Sequence, residues 1–285
     1  MPELQRLAAF TLDPAGGNPA GVWIGEALPE PAEMQRIAAE VGFSETAFLA
    51  PDGTGRPGAH RVRYFSPAAE VPFCGHATIA SGVALAERSA ADRFLLSTND
   101  GLVTVDVARG GDGHPRATLS SVEPRVRAAE PELLGAALDA LRWAPAELDP
   151  ALPPAVGYAG ASHLIIAAAV YDRLRDLDYD FDRLRSIMLE ADLTTVQLVW
   201  REAPDRFRAR DPFPVGNVVE DPATGAAAAA LGAYLRWRGE LVPPARFSIT
   251  QGVEMGRPSL IEVEVPDAVG GIRVTGTAVS LDALR

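Results

Sequence analysis

The sequence predicts an α+β fold of two pseudo-symmetric lobes, each a mostly antiparallel or mixed, curled sheet wrapped around a central helix. Three observations carry this prediction. Residues 70–85 (EVPFCGHATIASGVAL) recur as residues 220–235 (EDPATGAAAAALGAYL), 150 residues later. Both segments have helical spacing and are apolar on nearly every side, which is typical of an enclosed helix. The other elements are mostly short strands with local connections, and helices are too few for a doubly wound parallel sheet.

The repeat extends beyond these two segments at the same offset. Residues 37–49 align with residues 187–199, with Ile37 over Ile187 and Glu40 over Glu190. A duplicated unit of this length predicts two similar lobes with a site between them. Alanine matches carry little weight in an alanine-rich segment, so the Glu, Pro, Gly and Leu matches are the main evidence. The identical pairs are Glu70/Glu220, Pro72/Pro222, Gly75/Gly225, Ala77/Ala227, Ala80/Ala230, Gly82/Gly232 and Leu85/Leu235.

The first half of the chain alternates short strands with two helices. Apolar residues at positions 34, 37, 38 and 41 fall on one helical face, and Asp-Gly at 100–101 favours a hairpin turn. The predicted elements are strands at Leu4–Leu12, Gly21–Ile24, Glu45–Leu49 and Arg61–Phe65, helices at Pro31–Val41 and Gly75–Arg88, and a hairpin of Phe94–Thr98 and Leu102–Val107.

The second half repeats this order after a helical, Pro-rich segment, Pro131–Asp149, which we assign to the linker region. The predicted N-terminal lobe spans residues 1–118, with the C-terminal tail 273–285 packed on it, and the C-terminal lobe spans 119–272. Its predicted elements are strands at Leu164–Val170, Thr194–Trp200, Phe247–Thr250 and Leu260–Val265, and helices at Phe181–Ala191 and Thr224–Arg238.

Composition narrows the range of functions. The net charge of −12 disfavours a nucleic-acid partner, because phosphate contacts need a basic surface. The single cysteine excludes an intrachain disulfide and a cysteine zinc cluster. Apolar runs are too short for a membrane span, and the N-terminus lacks a secretory signal, so we expect a cytoplasmic protein. No dinucleotide, P-loop or metal-spacing motif is present, which predicts an enzyme with no cofactor and no metal.

Both repeated helices begin at a Pro-x-x-Gly, so Gly75 and Gly225 lie at helix starts. The first turn of a helix offers unpaired N–H groups and a partial positive charge, and small residues there let a ligand approach. For either glycine taken alone, tight packing of helix on sheet is the favoured explanation. The pair favours a site for a carboxylate or similar anion.

Differences between the two copies mark the candidate catalytic residues. Glu45, Cys74 and His76 occur only in the first copy, and Asp221 only in the second. Glu45 is either a solvated strand-edge residue or a half-buried acid. His76 either hydrogen-bonds a loop or acts in proton transfer, and Asp221 is either a helix cap or a site residue. For Cys74 we favour a structural role, because Thr224 offers no second thiol for a two-base racemase.

The motif order resembles the phenazine-biosynthesis PhzF-like isomerases over nearly the whole chain. The motifs are GNPAGV (17–22), GFSETAFL (42–49), YFSPAAEVPFCGHATIASG (64–82), EDPATGAAAAALGAYL (220–235) and QGVEMGRPS (251–259). The resemblance implies a diaminopimelate epimerase-like fold, no cofactor, and a homodimer. The family's type member isomerises trans-2,3-dihydro-3-hydroxyanthranilate.

The resemblance also implies residue roles. Glu45, His76 and Asp221 correspond to the family's catalytic residues, with Glu45 as the proton-shuttling acid/base. Gly75 and Gly225 would give backbone amides to the substrate carboxylate. The substrate-binding residue Ala226 stands where the family often has Ser, so one hydroxyl donor is missing.

The resulting hypothesis is a cofactor-independent isomerase of a small carboxylate-bearing substrate. An amino-acid racemase or epimerase of the same fold and a non-catalytic small-molecule-binding protein are the alternatives.

Overall fold

The computed structural model describes residues 2–99, 101–268 and 270–282. It divides into two compact units, one of Met1–Ser120 with Thr275–Arg285 and one of Ser121–Val274. Asp100 of the predicted hairpin turn and residues 283–285 of the predicted tail lie outside the described residues.

The elements follow in chain order, and short 3₁₀ turns lie at Pro145–Glu147 and Pro214–Gly216. The first part of the chain forms β1 (Glu3–Ala9), β2 (Asn18–Ile24), α1 (Pro31–Val41), β3 (Glu45–Pro51), β4 (Ala59–Phe65), β5 (Glu70–Val71), α2 (Gly75–Arg88), β6 (Arg93–Thr98), β7 (Gly101–Arg109) and β8 (Pro115–Ser120). The rest forms β9 (Arg125–Ala128), α3 (Pro131–Leu141), β10 (Ala155–Tyr158), β11 (Ser162–Ala167), α4 (Tyr171–Arg175), α5 (Phe181–Glu190), β12 (Thr195–Ala203), β13 (Arg206–Pro212), β14 (Glu220–Asp221), α6 (Gly225–Arg238), β15 (Ala245–Gln251), β16 (Ser259–Val265), β17 (Arg273–Gly276) and β18 (Ala278–Ser280).

The strands of the first unit form a mixed sheet. Starting from β18, the hydrogen-bonded order is β18, β1, β2, β3, β4, β6, β7, β8, and the two-residue strand β5 pairs with β4. The pairs β2–β3 and β4–β6 are parallel, and the other pairs in this series are antiparallel. The first parallel connection runs through α1 and the second through β5 and α2, as parallel neighbours need a crossover.

The second unit repeats this pairing pattern within itself. Its order is β9, β10, β11, β12, β13, β15, β16, with β14 on β13. The pairs β11–β12 and β13–β15 are parallel, and the second of these connections runs through β14 and α6. The prediction of two similar α+β lobes, each a mixed sheet around one helix, is therefore confirmed.

The two central helices, α2 and α6, are buried on nearly all sides, as the sequence predicts. Each has a glycine at its middle where it meets its own sheet. A Cβ on Gly82 would lie 2.7 Å from Val105 Cγ1 and 3.0 Å from Ala117 Cβ. A Cβ on Gly232 would lie 3.0 Å from Ile272 Cγ2. This repeated glycine therefore lets the helix pack closely against the strands.

The repeated glutamates hold an arginine in each unit. Glu70 accepts two hydrogen bonds from Arg63, at 2.7 and 2.6 Å. Glu220 accepts two from Arg210, at 3.0 and 2.5 Å, and this pair is almost fully buried. Each bidentate pair joins the strand before the central helix to the short strand that leads into it, which fixes the approach to the helix start.

One assignment from the sequence was wrong. The helical character predicted for Pro131–Asp149 is found in helix α3 (Pro131–Leu141), but its placement in the linker region is wrong, because its apolar face belongs to a core of the second unit. Ala137, Leu138 and Leu141 pack there with Leu164 and Leu184. Burial of that face explains why the segment is structured.

Sequence reasoning also missed several strands, including β8 and β13. None of the helices in the described part of the chain has the length and hydrophobicity of a membrane-spanning segment.

Candidate active site

Two elements of the first unit bring Glu45, Cys74 and His76 together. Glu45 is the first residue of β3, while Cys74 precedes α2 and His76 lies in its first turn. The His76 side chain is 7% exposed and that of Glu45 is 18% exposed. The carboxyl group of Glu45 is therefore largely buried, which agrees with the second of the two interpretations left open from the sequence.

Glu45 contacts the other two side chains through one carboxylate oxygen, and Cys74 and His76 also contact each other. The Cys74 thiol donates to Glu45 Oε2 over 3.5 Å, and His76 Nε2 lies 3.5 Å from the same oxygen. Cys74 Sγ is 3.4 Å from His76 Nδ1, and the Ser44 hydroxyl is 3.5 Å from His76 Nε2. Both of these contacts to Glu45 are made with Oε2, which distinguishes the two oxygens of the carboxylate.

The start of α2 is fixed from below by a short hydrogen-bond chain. The Thr78 hydroxyl donates to the Cys74 carbonyl at 2.7 Å and lies 2.7 Å from the Tyr64 hydroxyl. Burial raises the pKa of Tyr64 well above its usual range, so its hydroxyl keeps its proton. No side chain caps the helix within the described part of the chain. The first-turn N–H groups, which have no intrahelical partner, thus remain for a ligand.

Gly75 supplies space at this helix start. A Cβ added there meets no atom within 4 Å, so packing against the sheet does not require glycine at this position. The packing interpretation therefore fails for Gly75, which differs in this respect from Gly82.

In the second unit, Asp221 and Thr224 precede α6. Thr224 is a residue type that commonly caps helices, but its hydroxyl donates to Asp221 Oδ2 at 2.6 Å instead. Gln251 holds the turn by donating to the Asp221 carbonyl at 2.8 Å and to Thr224 Oγ1 at 3.0 Å. Gly225 is buried and Ala226 is half-buried at this helix start.

A buried polar chain lies behind Asp221 in the same unit. His163 Nδ1 is 2.8 Å from Thr195 Oγ1, which donates to Asp211 Oδ1 at 2.9 Å. Asp211 is the strand partner of Asp221. Neither His163 Nε2 nor Asp211 Oδ2 has a hydrogen-bond partner among the described residues.

Complete burial shifts the pKa values of the two ionisable side chains in this hydrogen-bonded series. It lowers the pKa of His163 to about 3 and raises the pKa of Asp211 well above its usual range. His163 is therefore uncharged near pH 7, and burial favours the protonated, neutral form of Asp211, because desolvation disfavours the charged form of each group.

The structure thus places Glu45 and His76 together in one unit and Asp221 beside a helix start in the other. Sequence reasoning missed one neighbour of the candidate residues in each unit: in the first, the thiol of Cys74, which it assigned a structural role, and in the second, Asp211 behind Asp221. Glu45, Cys74 and His76 also place three metal-ligating atoms within 4.8 Å of one another, which their sequence spacing does not show.

Comparison with known proteins gives one consistent result. Residues 7–283 match the PhzC-PhzF family, described as phenazine biosynthesis-like protein. The chain is 31% identical over 287 residues to the uncharacterized isomerase YfhB of Bacillus subtilis, covering 97% of this chain and 96% of that protein. It is 31% identical over 253 residues to trans-2,3-dihydro-3-hydroxyanthranilate isomerase of Pseudomonas fluorescens, covering 89% of this chain and 86% of that protein. The crystal structure of the Bacillus anthracis phenazine biosynthesis protein of the PhzF family superposes with a TM-score of 0.85 at 25% identity. The superposition covers 98% of this chain and 97% of that structure.

Proposed function

The chain belongs to the PhzC-PhzF family of phenazine biosynthesis-like proteins, an isomerase family, and we propose that it moves a proton on a small carboxylate-bearing substrate without a cofactor. In this proposal Glu45 is the general acid/base. The observation that carries it is the position of the Glu45 carboxyl group, largely buried beside His76 at the uncapped start of α2.

The two oxygens of Glu45 have different tasks in this mechanism. Oε2 accepts a hydrogen bond from the Cys74 thiol and lies 3.5 Å from His76 Nε2, so these two groups orient that oxygen. Oε1 takes a proton from an acidic C–H of the substrate and returns it to another carbon of the conjugated system. Positioned acid–base groups of this kind contribute roughly 10²–10⁴ in rate. His76 orients a polar group of the substrate and stabilises the charge that moves.

The helix starts suit a substrate carboxylate. First-turn amides at Gly75 in the first unit, and at Gly225 and Ala226 in the second, donate to anions, and the helix dipole favours negative charge there. We propose Asp221 as the substrate-contacting side chain of the second unit. Its Oδ2 is oriented by Thr224, and burial raises the pKa of Asp211 behind it, which disfavours a second negative charge there.

The test is proton exchange in deuterium oxide. The wild-type chain is incubated with trans-2,3-dihydro-3-hydroxyanthranilate, the compound named for the Pseudomonas fluorescens relative, and with a panel of small amino-acid carboxylates. Nuclear magnetic resonance detects deuterium uptake, and ultraviolet absorbance detects a shifted double bond. We expect Glu45→Gln to lower the rate by about 10²–10⁴-fold with an unchanged circular dichroism spectrum.

The matched control is Glu87→Gln, an exposed carboxylate near the other end of α2, which should leave exchange unchanged. Proton exchange by Glu45→Gln at the wild-type rate would refute the assignment of Glu45 as the general acid/base. Exchange at a stereocentre without movement of a double bond would favour a racemase or epimerase. Recovery of every bound ligand unchanged would favour a non-catalytic binding protein. The homodimer and the cytoplasmic location stay predictions.

A further inference from the structure

Three side chains with complementary metal-binding chemistry converge at the start of α2. Glu45, Cys74 and His76 offer a carboxylate oxygen, a sulfur and an imidazole nitrogen within 4.8 Å of one another. We propose that these residues form a Zn²⁺ site, with Glu45 Oε2, Cys74 Sγ and His76 Nε2 as ligand atoms.

The distances between the three ligand atoms match the edges of a tetrahedral zinc site. Zinc–ligand bonds of about 2.0–2.3 Å at tetrahedral angles place neighbouring ligand atoms roughly 3.4–3.6 Å apart. Here Sγ to Oε2 is 3.5 Å, Nε2 to Oε2 is 3.5 Å, and Sγ to Nε2 is 3.8 Å. Because Sγ also lies 3.4 Å from His76 Nδ1, it faces the ring edge between the two nitrogens, so the imidazole must turn about its Cβ–Cγ bond for Nε2 to point at the ion.

The ligand set selects zinc over magnesium and calcium. Thiolate and imidazole are ligands that zinc prefers, whereas magnesium and calcium need several oxygens. Binding forms one bond each from zinc to sulfur, nitrogen and oxygen, and the thiol proton leaves to solvent. A thiolate and a carboxylate together neutralise the two charges of the ion, which suits a largely buried site.

The duplication supplies an internal comparison. At the offset of 150 residues, Thr195, Thr224 and Ala226 stand in the second unit where Glu45, Cys74 and His76 stand in the first. These residues do not reproduce the ligand set, so we expect one zinc ion per chain. They also identify replacements that this fold accepts at each position.

The site has a consequence that rests on the proposed function. A zinc ion bound here engages the carboxylate that is proposed to carry the proton. Three protein ligands leave a fourth position open to water or to a substrate carboxylate. Zinc at one equivalent should therefore abolish proton exchange, and a chelator should restore it.

Direct metal binding tests the site without any substrate. The chain is freed of metal with a chelator, dialysed and titrated with Co²⁺, whose bond to a thiolate gives a charge-transfer absorption. We expect this band to saturate at one Co²⁺ per chain, to disappear when Zn²⁺ displaces the cobalt, and to be unaffected by Mg²⁺.

Variants locate the metal. Cys74→Thr and His76→Ala should weaken binding by more than about 100-fold, because even outer partners of a metal ligand are worth about 10–100-fold in affinity. Replacement of the exposed histidine, His114→Gln, should leave binding unchanged. Circular dichroism confirms that each variant is folded.

A cobalt spectrum without the thiolate band, or Cys74→Thr binding within a few-fold of wild type, would overturn the proposed site. Full exchange activity with one zinc per chain would overturn the inhibition. Zinc binding by a chain that exchanges no tested carboxylate would support the site and count against the proposed function.

Discussion

Acid sensitivity is the sharpest prediction for the buried polar chain of the second unit. Burial lowers the pKa of His163 to about 3 from an ordinary value of 6.5. The unfolded chain therefore binds a proton at this histidine over a range of pH in which the folded chain does not. Stability that is present above pH 6.5 is lost as the pH falls from 6.5 toward 3.

The magnitude follows from the two pKa values. Each pH unit within this window corresponds to about 1.36 kcal/mol, so His163 removes about 3 kcal/mol of stability between pH 7 and pH 4. Asp211 acts in the opposite direction, because its raised pKa lets the folded chain keep a proton that the unfolded chain releases. The pH dependence of the wild type alone therefore mixes the two groups.

The variant His163→Asn separates them. Asparagine places an amide nitrogen near the position of Nδ1, retains a donor toward Thr195 and does not titrate. We expect the wild type to lose about 3 kcal/mol more than this variant between pH 7 and pH 4, measured as the free energy of urea unfolding at each pH. The same replacement at the exposed His114 is the control and should follow the wild type. Equal losses in wild type and His163→Asn would show that His163 is not a buried neutral group.

Two further predictions concern packing and charge, and both are measured by urea unfolding. Gly82→Ala should destabilise the chain by about 1–3 kcal/mol, because its Cβ would overlap Val105 and Ala117. The control is Gly135→Ala in the exposed middle of α3, where an added Cβ meets no atom within 4 Å. This variant should stabilise the chain by about 0.5–1 kcal/mol. A loss with Gly135→Ala as large as with Gly82→Ala would contradict the packing argument. Glu220→Gln should lower the free energy of unfolding by about 3–5 kcal/mol, because it leaves the buried Arg210 without its charge partner. In the control Glu264→Gln, the partner Arg246 is 82% exposed, so the loss should be less than about 1 kcal/mol. Similar costs for these two would show that burial does not govern the first pair.

The central helices were predictable because their two signals agree. The repeat marks both segments, and an apolar surface on every side indicates enclosure for each. The observed bounds of Gly75–Arg88 match the prediction, and those of Gly225–Arg238 differ by one residue at the start. Strands with clean alternation, such as Ser259–Val265, were also found from pattern alone.

Strand β13 was missed because its buried residues include charged ones. In Arg206–Pro212, Arg210 and Asp211 are buried, so the segment lacks the apolar alternation of an ordinary strand. Only the structure shows the partner that makes this burial possible, Glu220.

The arginine partners of the repeated glutamates were hidden for a related reason. Arg63 precedes Glu70 by 7 positions and Arg210 precedes Glu220 by 10, so a constant offset does not align the arginines. A comparison of equivalent positions finds shared residues only where the loops have equal lengths.

Cys74 shows a different limit of sequence reasoning. The sequence analysis compared Cys74 with the equivalent residue of the second copy. That residue is Thr224, which has no thiol. Its actual neighbour, Glu45, lies 29 positions away within the same copy. Contacts of this kind depend on the pairing of β3 beside the start of α2, which no local pattern specifies.

The glycine in the middle of each central helix has a wider consequence. It sets how closely the central helix packs on its sheet. The helix begins seven residues earlier, about 10 Å along its axis, and the candidate site residues lie at that end. The two copies share this mechanical support and differ at the tip. An ancestral gene doubling would thus have left the scaffold intact while one tip acquired an acid, a thiol and an imidazole and the other a second acid. New chemistry in such a chain requires changes at only a few positions, because the packing of each central helix on its own sheet is inherited.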